Sequence, residues 1–353
     1  MTITVTRVGD RSTPASVDYA TSDGPALQRT DYIVASGTLN FAPTETSKTF
    51  TVLIIDDGYQ EGTETFNLAL SNPVGTSLGV RNTARVKIFD DDLGPAATNP
   101  IDDAHRFVRE HYYDFLSRLP DQEGLDYWTS QITSCGSDQL CIRSRRIAVS
   151  DAFFFEPEFQ ETAAYVYRIY KAAFGTLPGA PNRANLTYSQ FMPDRSRVIG
   201  GPQLDQGKTD VADAFVQRAA FIAQYPNTMT ATQYINALNA NTGNALTQSQ
   251  QDALVTGLTD GTETRGSVLR KIADNQMFVD REYNASFVLA EYFGYLRRDP
   301  EPEGYDFWLS QLNRFPIRNI DIQHAMVCSF ITSIEYQQRF SPIVTRTNAE
   351  CPQ

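Results

Sequence analysis

The sequence predicts two domains of different class, an antiparallel β-sandwich followed by a domain of α-helices. In residues 1–93, apolar and polar residues alternate in short segments, a pattern typical of half-buried strands. From residue 104 onward, apolar residues recur every three or four positions, as on amphipathic helices. Between them lies a stretch containing Pro and Gly, which we interpret as a linker over residues 94–103.

The predicted strands carry apolar residues at every second position. These residues are Val17, Tyr19, Leu39, Phe41, Phe50, Val52, Ile54, Phe66, Leu68, Leu70, Val86 and Ile88. Turn-forming segments such as "TSDGP", "APTET" and "SNPVG" separate the strands. Strands of this length, each with one apolar face, predict two sheets packed face to face.

The helical part repeats itself. Residues 107–132 and 287–312 align without a gap, and the two tryptophans of the chain, Trp128 and Trp308, occupy the same position in the two copies. Weaker copies follow at residues 165–178 and 233–243. A period of roughly 55 to 60 residues predicts about four stacked helical units over residues 104–341, with a tail at 342–353.

One repeat can be interpreted residue by residue. Phe107, His111 and Phe115 lie four positions apart and form an apolar stripe, so His111 is expected to be a packing residue. Pro120 ends that helix, and Asp121 is a candidate cap for the next one. We interpret Trp128 and the second tryptophan as core packing residues, the alternative being an aromatic platform for a sugar or a peptide.

Composition and charge exclude several classes. Thirty Lys and Arg residues stand against 42 Asp and Glu, for a net charge of −12. Nucleic acids and anionic membranes select basic surfaces, so neither is an expected partner. No apolar stretch is long enough for membrane insertion, and no signal peptide is visible. The acidity is compatible with divalent cations or with solubility alone.

The four cysteines lack the C-x-x-C spacing of metal sites. Cys135 and Cys141 flank a Gly-Ser-Asp turn, and Cys328 with Cys351 would tie the C-terminal tail to the preceding helix. This pairing predicts two disulfides and an extracellular or cell-surface location, against the alternative of four unrelated thiols.

No enzyme signature is found. The chain lacks a nucleophile elbow, an H-E-x-x-H motif, a P-loop and a dinucleotide fingerprint. Its three histidines, His105, His111 and His324, all lie in helical stretches. We therefore predict a protein without catalytic residues.

Acidic residues gather in the loops of the first domain. The clusters are Asp31, the group Asp56, Asp57, Glu61 and Glu64, and the run Asp90, Asp91 and Asp92. Alternate strand ends of a sandwich return to the same tip, so these carboxylates can converge. Calcium takes six to eight hard oxygen ligands, whereas solvated acidic turns would need no ion.

The order of "DYATSDG", "SGTLNFAP", "DDGYQEGTETF" and a terminal "DDD" resembles the Calx-beta domain. The resemblance covers residues 1 to about 93 and implies an immunoglobulin-like sandwich that binds Ca²⁺ at one tip. Carried over by position, the implied ligands are Asp31, Asp56, Asp57, Glu61, Glu64, Asp90, Asp91 and Asp92.

The sequence departs from that family by starting after its usual first strand. A sandwich without this strand exposes unpaired backbone groups, which a strand from a neighbouring subunit would cover. Residues 341–350 are a candidate donor, and the protein itself would then be its partner in a homo-polymer. The plainer alternative is a truncated gene product.

The helical part resembles a bacterial domain family of unknown function found in exported and surface proteins. Its motif R-x-P-D-x-x-G-x-x-Y-W is matched over residues 118–128 and, less closely, 298–308. We therefore predict a non-enzymatic bacterial structural or adhesive surface protein, stabilised by calcium, whose partners are cell-surface or matrix components. The alternative is a glycan- or peptide-binding module of a secreted hydrolase or receptor.

Overall fold

The computed structural model describes residues 1–92 and 97–351, which form two compact units. The first unit contains the described residues up to 113, then 117–145 and 331–351. The second contains 114–116 and 146–330. The first unit is therefore discontinuous along the chain. The predicted domain boundaries stay predictions, and residues 94–96 of the linker and 352–353 of the tail lie outside the described residues.

The N-terminal part of the first unit is an antiparallel β-domain, as predicted. Its strands are β1 (Thr2–Thr6), β2 (Ala15–Ser22), β3 (Ser36–Phe41), β4 (Ser47–Thr51), β5 (Glu64–Val74) and β6 (Thr83–Ile88). β1 pairs with β4, and the other four form a sheet in the order β3-β2-β5-β6.

The alternating apolar residues form the core of this β-domain. The buried members include Val17, Leu39, Phe41, Phe50, Val52, Phe66, Leu68 and Val86, with Ile54, Leu70 and Ile88 packed beside them. Tyr19 stacks on Phe50 with ring centroids 3.9 Å apart. Burying each large apolar side chain contributes about 1.5–3 kcal/mol, so this face fixes the register of the strands.

The remaining chain is mostly helical. Its helices are α1 (Ala104–His111), α2 (Gln122–Thr133), α3 (Gln139–Phe155), α4 (Pro157–Glu161), α5 (Ala163–Phe174), α6 (Tyr188–Arg195), α7 (Leu204–Val216), α8 (Ala219–Gln224), α9 (Ala231–Asn241), α10 (Gln248–Asp260), α11 (Arg265–Ala273), α12 (Gln276–Glu291), α13 (Pro302–Leu312), α14 (Ile320–Ile331) and α15 (Ile334–Gln337). A hairpin of β7 (Thr176–Leu177) and β8 (Ala180–Ala184) interrupts them, because α5 ends at Gly175 with a positive φ of 65°.

Helix α5 is the centre of the second unit. Every residue from Ala163 to Ala173 is buried, and the helix packs against α6, α9, α11 and α12. A helix that is covered on all sides is expected to be mostly apolar, and the buried Arg168 of α5 donates hydrogen bonds to the carbonyls of Ala273 and Gln160. No described helix is both long and apolar enough to span a membrane.

The repeated motif has a structural explanation. Each strong copy contains one turn of π-helix, Tyr112–Leu116 or Tyr292–Leu296, before the chain turns through a left-handed residue. A Cβ at Gly124 would overlap the hydroxyl of Tyr112, and the same holds for Gly304 and Tyr292. The Asp121 side chain accepts a hydrogen bond from the Gly124 N–H and caps α2, as predicted. The motif therefore builds a tight turn between two helices.

The tryptophans differ from their prediction. Trp128 and Trp308 are half-buried and lie outside the core. Each ring packs edge-on against an exposed neighbour, Tyr127 at 4.9 Å or Phe307 at 5.1 Å between centroids. The apolar stripe is filled by phenylalanine and tyrosine instead, which leaves both aromatic pairs at the surface. His111 is buried beside the Phe107 carbonyl, as predicted.

None of the four cysteines is free. Cys135 and Cys141 form a disulfide with their Cα atoms 5.6 Å apart. Cys328 and Cys351 are also disulfide-bonded. The prediction of oxidised cysteines is therefore confirmed.

Candidate metal centre

Backbone hydrogen bonds bring Asp31 next to the acidic loop that follows Ile55. The N–H of Ile33 donates to the carbonyl of Leu53 at 2.8 Å, and the N–H of Ile55 donates to the carbonyl of Asp31 at 3.0 Å. Tyr32 and Ile54 form an isolated antiparallel bridge between these bonds. The loop containing Asp31 is therefore fixed against the start of the segment 56–64.

Three carboxylates converge at this place. Oxygen atoms of Asp31, Glu61 and Glu64 all lie within 4.8 Å of one another. Asp31 is buried, Glu64 is half-buried and Glu61 is exposed. Carboxylate oxygens are the ligands that Ca²⁺ prefers, and the flexible Glu61 and Glu64 suit its loose geometry. The donor set of these residues therefore fits a hard divalent cation.

Asp90 organises the acidic loop. Its Oδ2 accepts hydrogen bonds from the backbone N–H groups of Glu61 at 2.8 Å and Gly62 at 2.7 Å. Its Oδ1 accepts from the N–H of Asp92 at 2.9 Å. The N–H groups of Gly62 and Asp92 lower the pKa of Asp90, because they stabilise the charged form. Asp90 therefore positions Glu61 for the cluster.

The neighbouring carboxylates disfavour one another's charge. Burial raises the pKa of Asp57 to about 7, and repulsion from Glu61, Asp31 and Asp92 adds to this effect. The pKa values of Glu61 and Glu64 are also raised. Burial is the largest cause, and the negative charge of Asp31 is the second. A bound divalent cation would reverse these shifts, because it favours the ionised form of every nearby carboxylate.

Asp56 has a different environment. Its Oδ1 lies 3.1 Å from Arg106 Nη1, and its Oδ2 lies 3.2 Å from Arg109 Nη2. Both arginines belong to α1. Asp56 is therefore neutralised by side chains, unlike the unpaired carboxylate expected from the sequence.

Asp91 and Asp92, which follow β6, lie in different environments. Asp92 is half-buried, and burial raises its pKa, with further repulsion from Asp90 and Asp91. Asp91 is exposed to solvent. Of the eight predicted ligands, the structure brings Asp31, Glu61 and Glu64 into one cluster, with the others around it in different environments.

Other residues that support the loop were not identified from the sequence. The Gly58 N–H donates to the Phe340 carbonyl at 2.8 Å, and the Tyr59 hydroxyl donates to the Gln338 carbonyl at 2.8 Å. The three-residue spacing of Arg106 and Arg109 on α1 indicates a common helix face, but the sequence does not reveal what that face contacts.

Comparison with known proteins identifies one part of the chain. Residues 1–92 match the Calx-beta domain. The sodium/calcium exchanger Calx of Drosophila melanogaster is 43% identical over 91 residues, which are 26% of this chain and 10% of that protein. Sodium/calcium exchanger 1 of Mus musculus is 39% identical over 104 residues, 24% of this chain and 11% of that protein. The chain thus spans about a tenth of the length of these relatives.

Solved structures match the same region. The apo form of the Calx CBD1 domain is 42% identical, with a TM-score of 0.26, and the match covers 26% of this chain and 82% of that one. The calcium binding domain CBD12 of CALX1.1 is also 42% identical with a TM-score of 0.26, and the match covers 26% of this chain and 39% of that one.

Proposed function

Since residues 1–92 form a Calx-beta domain, we propose that this protein binds Ca²⁺ at the cluster of Asp31, Glu61 and Glu64. The approach of these oxygens to within 4.8 Å of one another is the observation that carries the proposal. The description of a similar solved chain as a calcium binding domain supports it. The ion would supply positive charge, and Asp31 would anchor it, because the Leu27 N–H holds Asp31 Oδ2 at 2.6 Å.

Within this proposal the protein is a non-enzymatic structural or adhesive component outside the cell, with cell-surface or matrix partners. The oxidised cysteines support an oxidising location. The repeated motif supports a scaffold role, because Gly124 and Gly304 are explained by packing against tyrosine hydroxyls. Calcium would stiffen the tip of the sandwich.

Isothermal titration of the full chain with Ca²⁺ tests the proposal. Wild type is expected to bind Ca²⁺, and the double variant Asp31→Asn/Glu64→Gln is expected to lose the binding of Ca²⁺ at this cluster. The matched control is Glu123→Gln/Glu303→Gln, which removes two exposed carboxylates from helix first turns. Absence of Ca²⁺ binding by wild type, or equal binding by the double variant, would refute the cluster as a calcium site.

We further propose self-assembly by strand addition at β1. Among the described residues β1 pairs only with β4, so its other edge is available to a second copy. A donor tail is restricted by the disulfide of Cys351. It would also have to leave Gln337, whose Oε1 accepts from the N–H groups of Thr345 and Arg346. Light scattering after size exclusion should show oligomers that disappear when residues 342–353 are removed. Two identical monomer profiles would refute it.

A second candidate function is supported by the surface aromatic pairs. Tyr127 is 55% exposed beside Trp128, and Phe307 is 53% exposed beside Trp308. Exposed aromatic faces suit binding of sugars or peptides. Glycan-array binding that is lost in Tyr127→Ala/Phe307→Ala would support this function. Unchanged signals would refute a role for these pairs.

A further inference from the structure

The two arginines of α1 hold both oxygens of a single loop carboxylate. Arg106 Nη1 lies 3.1 Å from Asp56 Oδ1, and Arg109 Nη2 lies 3.2 Å from Asp56 Oδ2. Arg106 Nη1 also lies 3.5 Å from the backbone carbonyl of Asp56. The spacing of one helical turn places both guanidinium groups on the same side of α1. Each carboxylate oxygen of Asp56 therefore has one arginine as a partner.

These guanidinium groups bring the same charge as a calcium ion. Two arginines are permanently protonated and together supply two positive charges. A calcium ion would need the oxygens of Asp56 at about 2.3–2.6 Å. The arginines already take one contact to each oxygen, so an ion coordinated there would compete with both of them.

The other side of the tip lacks such groups. No described Lys or Arg forms an ion pair with Asp31, Glu61 or Glu64, which still crowd together. The acidic tip thus has two regions: at Asp56 the charge is neutralised by arginine side chains, whereas Asp31, Glu61 and Glu64 have no described Lys or Arg as an ion-pair partner. This division coincides with the position of α1, which lies outside the residues that match the Calx-beta domain.

We infer that Arg106 and Arg109 are a built-in replacement for one calcium ion at Asp56. This inference rests on the proposed calcium function. Asp56 is then a docking residue for α1 and not a calcium ligand, and ions bind on the side of Asp31, Glu61 and Glu64. The α1 helix stays attached to the loop whether calcium is bound or absent.

Native mass spectrometry of the full chain at fixed free Ca²⁺ tests this inference by counting bound ions. Asp56→Asn is expected to bind as many ions as wild type, because Asp56 is not a ligand. Arg106→Ala/Arg109→Ala is expected to bind one additional ion, since it exposes Asp56. The control Arg143→Ala/Arg145→Ala removes the same charge from residues that form no ion pair with described residues, and should match wild type.

The outcomes separate the two claims. Loss of one ion in Asp56→Asn, with calcium still bound by wild type, would overturn the inference and leave the proposed function standing. Binding by the arginine variant alone would overturn the wild-type calcium site, and with it the part of the inference that places ions at Asp31, Glu61 and Glu64. No bound calcium in any variant would overturn both. Asp56→Asn keeps the inference falsifiable if the double arginine variant does not fold.

Discussion

Removing calcium should lower the stability of the first compact unit by about 3 kcal/mol. The carboxylate oxygens lie within 4.8 Å of one another, and two unit charges at that upper distance repel by about 1 kcal/mol in water and by about 3.5 kcal/mol at an effective dielectric constant of 20. Asp31, Glu61 and Glu64 make three such pairs, so the aqueous repulsion alone totals about 3 kcal/mol. A ligand at 100 times its Kd stabilises a protein by about 2.7 kcal/mol, which is similar. The expected rise in Tm is roughly 6–12 °C.

Differential scanning calorimetry in 1 mM CaCl₂ and in excess EGTA measures this effect. The two compact units are expected to give separable transitions, of which one depends on calcium. Asp31→Asn/Glu64→Gln should lose the dependence, because two of three ligands are neutral. Glu123→Gln/Glu303→Gln should keep it. Identical melting of wild type in both solutions, or the full rise in the Asp31/Glu64 variant, would refute a stabilising calcium ion at this cluster.

Three further predictions concern the helical region. Asp114→Ala should cost about 3–5 kcal/mol in urea unfolding, because Asp114 Oδ1 and Arg297 Nη2 form a buried pair at 2.8 Å and Arg297 would lose it; an unchanged midpoint contradicts this. Burial raises the pKa of Glu291 well above its usual value of 4.5. The uncharged carboxyl group therefore makes its full contribution to the free energy of unfolding below about pH 4.5, and this contribution is lost as the pH rises towards the raised pKa. Glu291→Gln should therefore gain stability over wild type from pH 5 to pH 8, by up to about 1.4 kcal/mol per pH unit, and a constant difference contradicts this. Gly124→Ala should destabilise by about 1–3 kcal/mol through overlap with the Tyr112 hydroxyl, and Tyr112→Phe should restore part of the loss; equal effects in both backgrounds would exclude this overlap.

The strands were predictable because their signal is local. Phe50 and Val52 alternate with polar residues, and any sheet with one buried face must place them inward. Asp31, Glu61 and Glu64 were also predictable as candidate ligands, since Asp31 and Glu61 lie in loops, Glu64 begins β5 and the Calx-beta resemblance pointed to all three. Their convergence depends on pairing between separate segments of the sandwich, such as the bridge between Tyr32 and Ile54.

The arginine contacts were not predictable from the sequence. The partner of Arg106 and Arg109 lies about fifty positions away, and its identity depends on how α1 packs, which no local pattern records. The prediction that the tryptophans are core residues was wrong for a related reason. A helical period indicates one apolar face, but it does not define the edges of that face, and Trp128 lies at such an edge.

The discontinuity of the first unit has a consequence for folding order. The loop after Asp57 donates hydrogen bonds to the carbonyls of Gln338 and Phe340, and the bond between Tyr59 and Gln338 joins residues 279 positions apart in the chain. During synthesis from the N-terminus, the sandwich can pair its strands early, but this loop is completed only after the whole second unit has been made. Such distant closure is entropically costly and slow. The hydrogen bonds of Gly58 and Tyr59 can therefore form only after residue 340 has been synthesised.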